Sequence, residues 1–127
     1  MNRKTVTADF KKAINNLEDA MNTPAETDLL KAGCIQYFEF CFEFAWKSIK
    51  AVAGEHGILD CNSPKICLKH AFANSWIENE ELWLDMLDSR NRMPHTYDAD
   101  YAFEVYSSIS SYLPEFKKLL SNLEKAD

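Results

Sequence analysis

The sequence predicts an all-α protein, an up-down four-helix-type bundle with one additional short helix. Three observations lead there. Apolar residues recur at spacings of three and four along most of the chain, and no segment sustains the two-residue alternation of a strand rich in β-branched residues. Glycine and proline are scarce, at 3 and 4 of 127 residues. Hydrophobic residues make up 46%, including eight Phe, five Tyr and three Trp. That is ample core for one domain spanning 1–127, a size at which folding buries about two-thirds of the unfolded chain's surface.

The first helix is expected to start at a cap on Thr5 or Thr7, with Phe10, Ile14, Leu17 and Met21 as its apolar stripe. Asn22-Thr23-Pro24 reads as a turn. The second helix is the longest, from after Thr27 to Val52-Ala53, ended by Gly54 and Gly57. Its middle, Cys34 to Trp46, is apolar on nearly every side, with Gln36, Glu39, Glu43, Lys47 and Lys50 as one narrow polar stripe. A surface helix buries a narrower face than that, so this helix belongs at the centre of the bundle, with part of it turned to a second subunit. Glu43 and Lys47 are spaced for an i,i+4 ion pair.

Ser63-Pro64 has the residue types of an N-cap and first helical position, and Ile66, Cys67, His70, Ala71 and Trp76 follow as a third stripe. A short fourth helix runs through Leu82, Trp83, Met86 and Leu87 to Arg90. Asp98 or Asp100 is expected to cap the fifth, whose apolar set is Ala102, Val105, Tyr106, Ile109, Leu113, Phe116, Leu120 and Leu123. Pro114 lies inside it and removes one backbone bond, which predicts a kink.

A formal charge of −6 argues against a broad nucleic-acid-binding face, so a polyanion would have to meet a local basic site. Cys34, Cys41, Cys61 and Cys67 include no C-x-x-C pair and suit buried small hydrophobes better than a zinc site. With no apolar leader and no run near the roughly 20 residues of a membrane span, the expected location is cytoplasmic, in a reducing environment and away from the membrane. No cofactor or metal is expected. Glu39 and Glu43 lack the Glu-x-x-His companion of di-iron bundles.

Chemistry concentrates in Ser89-Arg90-Asn91-Arg92-Met93-Pro94-His95-Thr96-Tyr97-Asp98. Pro94 disfavours the α region at Met93, so the fourth helix is expected to end before it, with Arg90 on the last turn. If the segment is extended, His95 and Tyr97 point to one side; if helical, they diverge. An imidazole titrating near neutrality beside a guanidinium suits phosphodiester cleavage. His95 would assist attack by the ribose 2′-hydroxyl, Arg90 would neutralise charge on the phosphate, and Asn91 would orient one of these groups. Arg92 could contact RNA or nucleotide. One histidine does not easily serve as base and acid together, so two copies meeting across a twofold axis make the more competent site. The same residue types at a helix end also serve as caps, turn residues and salt-bridge partners.

The pattern Arg90-x4-His95-x-Tyr97 is flanked by Leu82-Trp83-Leu84-Asp85-Met86-Leu87, Phe42-Glu43-Phe44-Ala45-Trp46-Lys47 and Ser63-Pro64-Lys65. With those flanks in register it resembles the HEPN superfamily. Within that superfamily the chain is similar to the nucleotidyltransferase substrate-binding proteins, relatives of the HepT toxins, from about Phe10 to Phe116. The resemblance implies a dimeric helical bundle that pairs with a minimal nucleotidyltransferase (MNT) antitoxin. It implies metal-independent ribonuclease activity carried by Arg90, His95 and the polar residue Asn91. It also implies adenylylation of Tyr97 by the partner, a bulky anion two residues from His95 that would block RNA. Two further readings belong to other classes. One is a non-catalytic nucleotide- or substrate-binding subunit of a two-component nucleotidyltransferase. The other is a helical dimerisation module whose wide apolar second helix is the functional surface. The aromatic run Tyr37 to Trp46 suits core and dimer packing more than base stacking.

Overall fold

The computed structural model describes residues 2–93 and 99–126. Five helices follow one another: α1 (Arg3–Asn22), α2 (Asp28–Glu55), α3 (Pro64–Ala73), α4 (Glu80–Arg92) and α5 (Ala99–Lys125). There is no strand among the described residues. The result is an all-α bundle in which the 28-residue α2 packs against all four other helices, as its nearly all-round apolar middle requires.

Local chemistry explains most helix ends. Thr27 and Ser63 cap α2 and α3, their hydroxyls accepting from the amides of Leu30 and Ile66, and Pro64 takes the first position of α3. The Asn79 side chain caps α4 through the Leu82 amide. The start of α1 differs from expectation. Asn2 is the cap, accepting from the amides of Lys4 and Thr5, while the Thr7 hydroxyl donates back to the Arg3 carbonyl inside the helix.

The end of α2 separates its two candidate glycines. Gly54 remains helical, and Gly57 takes the left-handed turn at φ 79°. The amides of Gly57 and Ile58 reach back to the carbonyls of Gly54 and Ala53, closing a Schellman motif. Ser75, at φ 61°, ends α3 in the same way through the amides of Ser75 and Trp76. Helix α4 reaches beyond Arg90 to Arg92, and Met93 keeps helical angles (φ −54°, ψ −45°) despite the following proline. Helix α5 is assigned without a break across Pro114. Asp100 lies within the first turn of α5. Asp98, the other candidate, falls outside the described residues.

The core is a run of aromatic contacts joining α1, α2, α4 and α5. Phe116 meets Phe10 and Trp83 edge-on at 6.1 and 5.5 Å, Phe38 stacks on Tyr112 at 5.2 Å, and Phe42 lies 6.4 Å from Trp83. Four of these rings are phenylalanines fully removed from water, and each such burial stabilises by roughly 1.5–3 kcal/mol. Tyr112 and Leu119 are core residues that the expected α5 stripe omitted. Cys61 and Cys67, expected as free thiols, are joined as a disulfide between the loop before α3 and its first turn, with Cα atoms 4.9 Å apart. A six-residue separation with a helix start between them brings the two side chains together, a proximity that spacing in a loop does not reveal. Cys34 and Cys41 are buried free thiols, and burial pushes Cys41 up to about 12.

Candidate functional site

Trp83, Met86, Leu87 and Arg90 fall at helical spacings of three, one and three, so the face that buries Trp83 against Phe42 also turns Arg90 towards α2. There the Arg90 Nη2 donates to Glu43 Oε1. The other oxygen of Glu43 accepts from the Trp46 indole Nε1 at 3.0 Å. Arg90 Nη1 donates to the Asn91 side-chain carbonyl at 3.1 Å. The guanidinium is therefore held between a carboxylate of the central helix and its own neighbour. Both charged side chains remain about one-third exposed, at 32% and 30%. A phosphate arriving from solvent can reach this arginine and compete with the carboxylate.

Glu43 does not take up the i,i+4 pairing with Lys47 that the local spacing offers. Its carboxylate is occupied by Arg90, 47 residues away, and by Trp46. Glu39, one turn earlier on α2, belongs to the same electrostatic group. Burial raises its carboxyl above the usual value, the Arg90 guanidinium pulls it down, and the Glu43 charge adds a smaller upward push. Two carboxylates thus face one guanidinium at the end of α4. The polar stripe on α2 was the sequence signal for these acids, but the stripe by itself reads as solvent-facing.

Arg92 sits apart from Arg90. Its guanidinium lies 4.1 Å from the Tyr101 ring centre on α5 and 3.6 Å from Asp88. Arg90, Asn91 and Arg92 are thus gathered on the last turn of α4, where cations are also favoured by the helix dipole. His95 and Tyr97 lie outside the described residues, between that turn and the start of α5. Among the described residues no group of three His, Cys, Asp or Glu side chains is placed to hold a metal ion. Among the described residues no helix is long and apolar enough to cross a membrane.

The other two histidines stand elsewhere. His70 pairs with Asp60 at 2.8 Å, and His56 closes the end of α2 with its Nδ1 2.9 Å from the Val52 carbonyl.

Residues 6–125 match the family model described as nucleotidyltransferase substrate binding protein like. The chain belongs to this family. A curated relative, the probable ribonuclease HepT of Haemophilus influenzae, is 33% identical over 102 residues, covering 77% of this chain and 70% of that protein. Among solved structures, a Thermus thermophilus protein superposes with a TM-score of 0.84 at 25% identity, covering 91% of this chain and 99% of the other. A Haemophilus influenzae protein described as revealing the fold of a substrate binding domain of a nucleotidyltransferase gives 0.70 at 27% identity, with 97% of each chain covered. The family inferred from the Arg90 motif and its flanks is thereby borne out, and so is the all-α bundle.

Proposed function

We propose that this chain is a HepT-like toxin component, a metal-independent ribonuclease that acts as a homodimer in the cytoplasm. The observation that carries the proposal is Arg90: a partly exposed guanidinium at a helix end, pre-oriented by a carboxylate that a phosphate can displace. The name of the Haemophilus influenzae relative supports the reading. In the proposed reaction His95 accepts the proton of the ribose 2′-hydroxyl and the 2′-oxygen attacks phosphorus. The 5′-oxygen departs with a proton given by the protonated His95 imidazole of the second copy, leaving a 2′,3′-cyclic phosphate. Arg90 neutralises the phosphate oxygens and Asn91 keeps the guanidinium in place. A second copy supplies the second imidazole. Regulation would come from a minimal nucleotidyltransferase partner that adenylylates Tyr97.

The test is RNA cleavage by purified protein whose Tyr97 is shown by mass to be unmodified. Cleavage lost in His95→Ala and Arg90→Ala supports the proposal, as does a light-scattering mass of twice 14.6 kDa. Intact RNA with all three proteins, and equal growth on expression of wild type and His95→Ala, would sink it. A second reading, a non-catalytic nucleotide- or substrate-binding subunit of a two-component nucleotidyltransferase, is favoured by the description of the second solved relative. It calls for a tight complex with the nucleotidyltransferase and saturable nucleotide binding, with no cleavage and no toxicity.

A further inference from the structure

Beside the Arg90 pair, the outer face of α2 carries a feature that the Arg90–Tyr97 motif does not use. Trp46, Lys47 and Lys50 stand around an open cleft of about 390 Å³, with Ala51 and Gly54 completing its wall. That volume lies within the usual range for small-molecule sites. Successive turns of one helix build it, since positions 46, 50 and 54, and 47 and 51, are four apart. The space over Gly54 is open: a Cβ added there would meet nothing within 4 Å.

The three functional side chains are poised for a ligand. Trp76 and Trp83 are buried, whereas Trp46 packs against the core and remains partly accessible to solvent. Its ring is fixed by the Nε1 hydrogen bond to Glu43, whose other oxygen holds Arg90. One chain of contacts therefore runs from the cleft to the arginine. Neither Lys47 nor Lys50 has a carboxylate partner among the described residues. The acid spaced to neutralise Lys47 is Glu43, already engaged by Arg90 and Trp46. Two such cations and a clamped indole on a chain of net charge −6 make a local basic and aromatic site.

The geometry points to this cleft as a nucleotide subsite adjoining Arg90: Trp46 stacks a base, and Lys47 and Lys50 hold its phosphate. The assignment rests on the reading of Arg90 as a phosphate-binding residue and deepens it by placing a neighbouring nucleotide. Base stacking on an aromatic side chain contributes about 1–3 kcal/mol, and the lysines supply the charge that the acidic surface lacks. The ligand chemistry, an aromatic base with a phosphate, is shared by a residue of an RNA chain and by a free nucleotide.

The test uses the full chain, a 2′-O-methyl oligoribonucleotide that resists cleavage, and AMP. Both are titrated against tryptophan fluorescence, with Trp46→Phe identifying the Trp46 signal. Quenching of Trp46 by the oligonucleotide alone assigns the subsite to an RNA chain; quenching by AMP as well assigns it to nucleotides generally. Lys47→Gln combined with Lys50→Gln should weaken binding at least tenfold. It should also flatten the slope of log affinity against log salt by about 0.7, the contribution of the one phosphate no longer neutralised. Gly54→Leu, which fills the cleft without changing charge, should weaken binding to a similar extent.

Absence of Trp46 quenching by either ligand overturns the assignment, as does unchanged binding in the double lysine variant. A loss confined to the lysine variant, with Gly54→Leu binding normally, shows a diffuse charge effect and overturns it too. A change in light-scattering mass with Gly54→Leu makes the cleft a subunit contact and has the same consequence. The ribonuclease reading fails separately: quenching with no cleavage by wild type removes the nuclease and leaves the subsite. Arg90-dependent cleavage with unchanged KM in the lysine variant removes the subsite and leaves the nuclease.

Discussion

Two arginines, Arg3 at the start of α1 and Arg90 on the last turn of α4, bind glutamates of α2, and they do different work. Arg3 donates to Glu55 at 2.7 Å and uses its other terminal nitrogen on the carbonyls of Leu123 and Ala126. Those carbonyls lie at and just past the end of α5, where the Leu123 carbonyl also accepts from the Ala126 amide, so Arg3 ties the start of α1 and the end of α5 to α2. Arg90 donates instead to one carboxylate and to the side chain of its own neighbour. Arg3 also borders a cleft, of about 660 Å³, yet besides Glu55 it is held by two backbone acceptors that cannot leave. The partners of Arg90 are side chains, which can. An arginine near a cleft thus becomes a candidate for anion binding through the exchangeability of its partners, and cavity size does not supply that.

The comparison breaks most directly on Arg90→Ala. Removing a transition-state donor costs on the order of 100-fold or more in rate, so RNA cleavage should fall by at least that factor while the unfolding midpoint moves little. Equal activity in wild type and variant would place Arg90 with Arg3 as a structural residue. Arg3→Ala should do the converse: cleavage stays at the wild-type rate, while denaturant unfolding reports a loss of about 1–3 kcal/mol for the charged hydrogen bonds to Glu55, Leu123 and Ala126.

A smaller effect tests displacement itself. In Glu43→Gln the competing charge is gone, and RNA should bind about fivefold more tightly, corresponding to about 1 kcal/mol for a partly exposed pair. Binding curves that coincide would mean that phosphate never competes for Arg90. Glu55→Gln, beside Arg3, should leave RNA affinity unchanged.

The smallest effect is a pH dependence. Burial raises the Glu39 carboxyl above 4.5, so the folded state favours its protonated form. The penalty for ionising it in the fold is present at neutral pH and disappears as pH falls through the raised value towards 4.5. Glu39→Gln should therefore stabilise the protein at neutral pH and make no difference below pH 4.5. The gain should be larger in an Arg90→Ala background, where the attraction that lowers Glu39 is missing. Thermal melts across pH read both effects, and a gain that grew in acid would contradict the assigned cause.

Much of the fold was legible because helices are written in local terms. The three- and four-residue spacing of Phe10, Ile14 and Leu17 and the caps at Thr27 and Ser63-Pro64 depend on nearby residues alone. The errors arose where two local solutions were chemically equivalent. Asn2, Thr5 and Thr7 can all cap a helix, and the choice fell to Asn2 while Thr7 bonded backwards within α1. Gly54 and Gly57 can both end one, and only Gly57 takes the left-handed turn. The motif residues Arg90, Asn91 and Arg92 were found from sequence, whereas the acids facing Arg90 were seen only as a polar stripe.

The amino-acid sequence by itself determined the class of fold, the order of the helices and the family, because periodicity, capping and motif register are properties of short stretches. The tertiary structure alone decided which charge meets which. Glu43 has a lysine one turn away and takes an arginine from another helix, since the packing of Trp83 on Phe42 brings α4 against α2. An exposed i,i+4 pair is worth only a few tenths of a kcal/mol, too little to hold a carboxylate against a guanidinium fixed in position by the core.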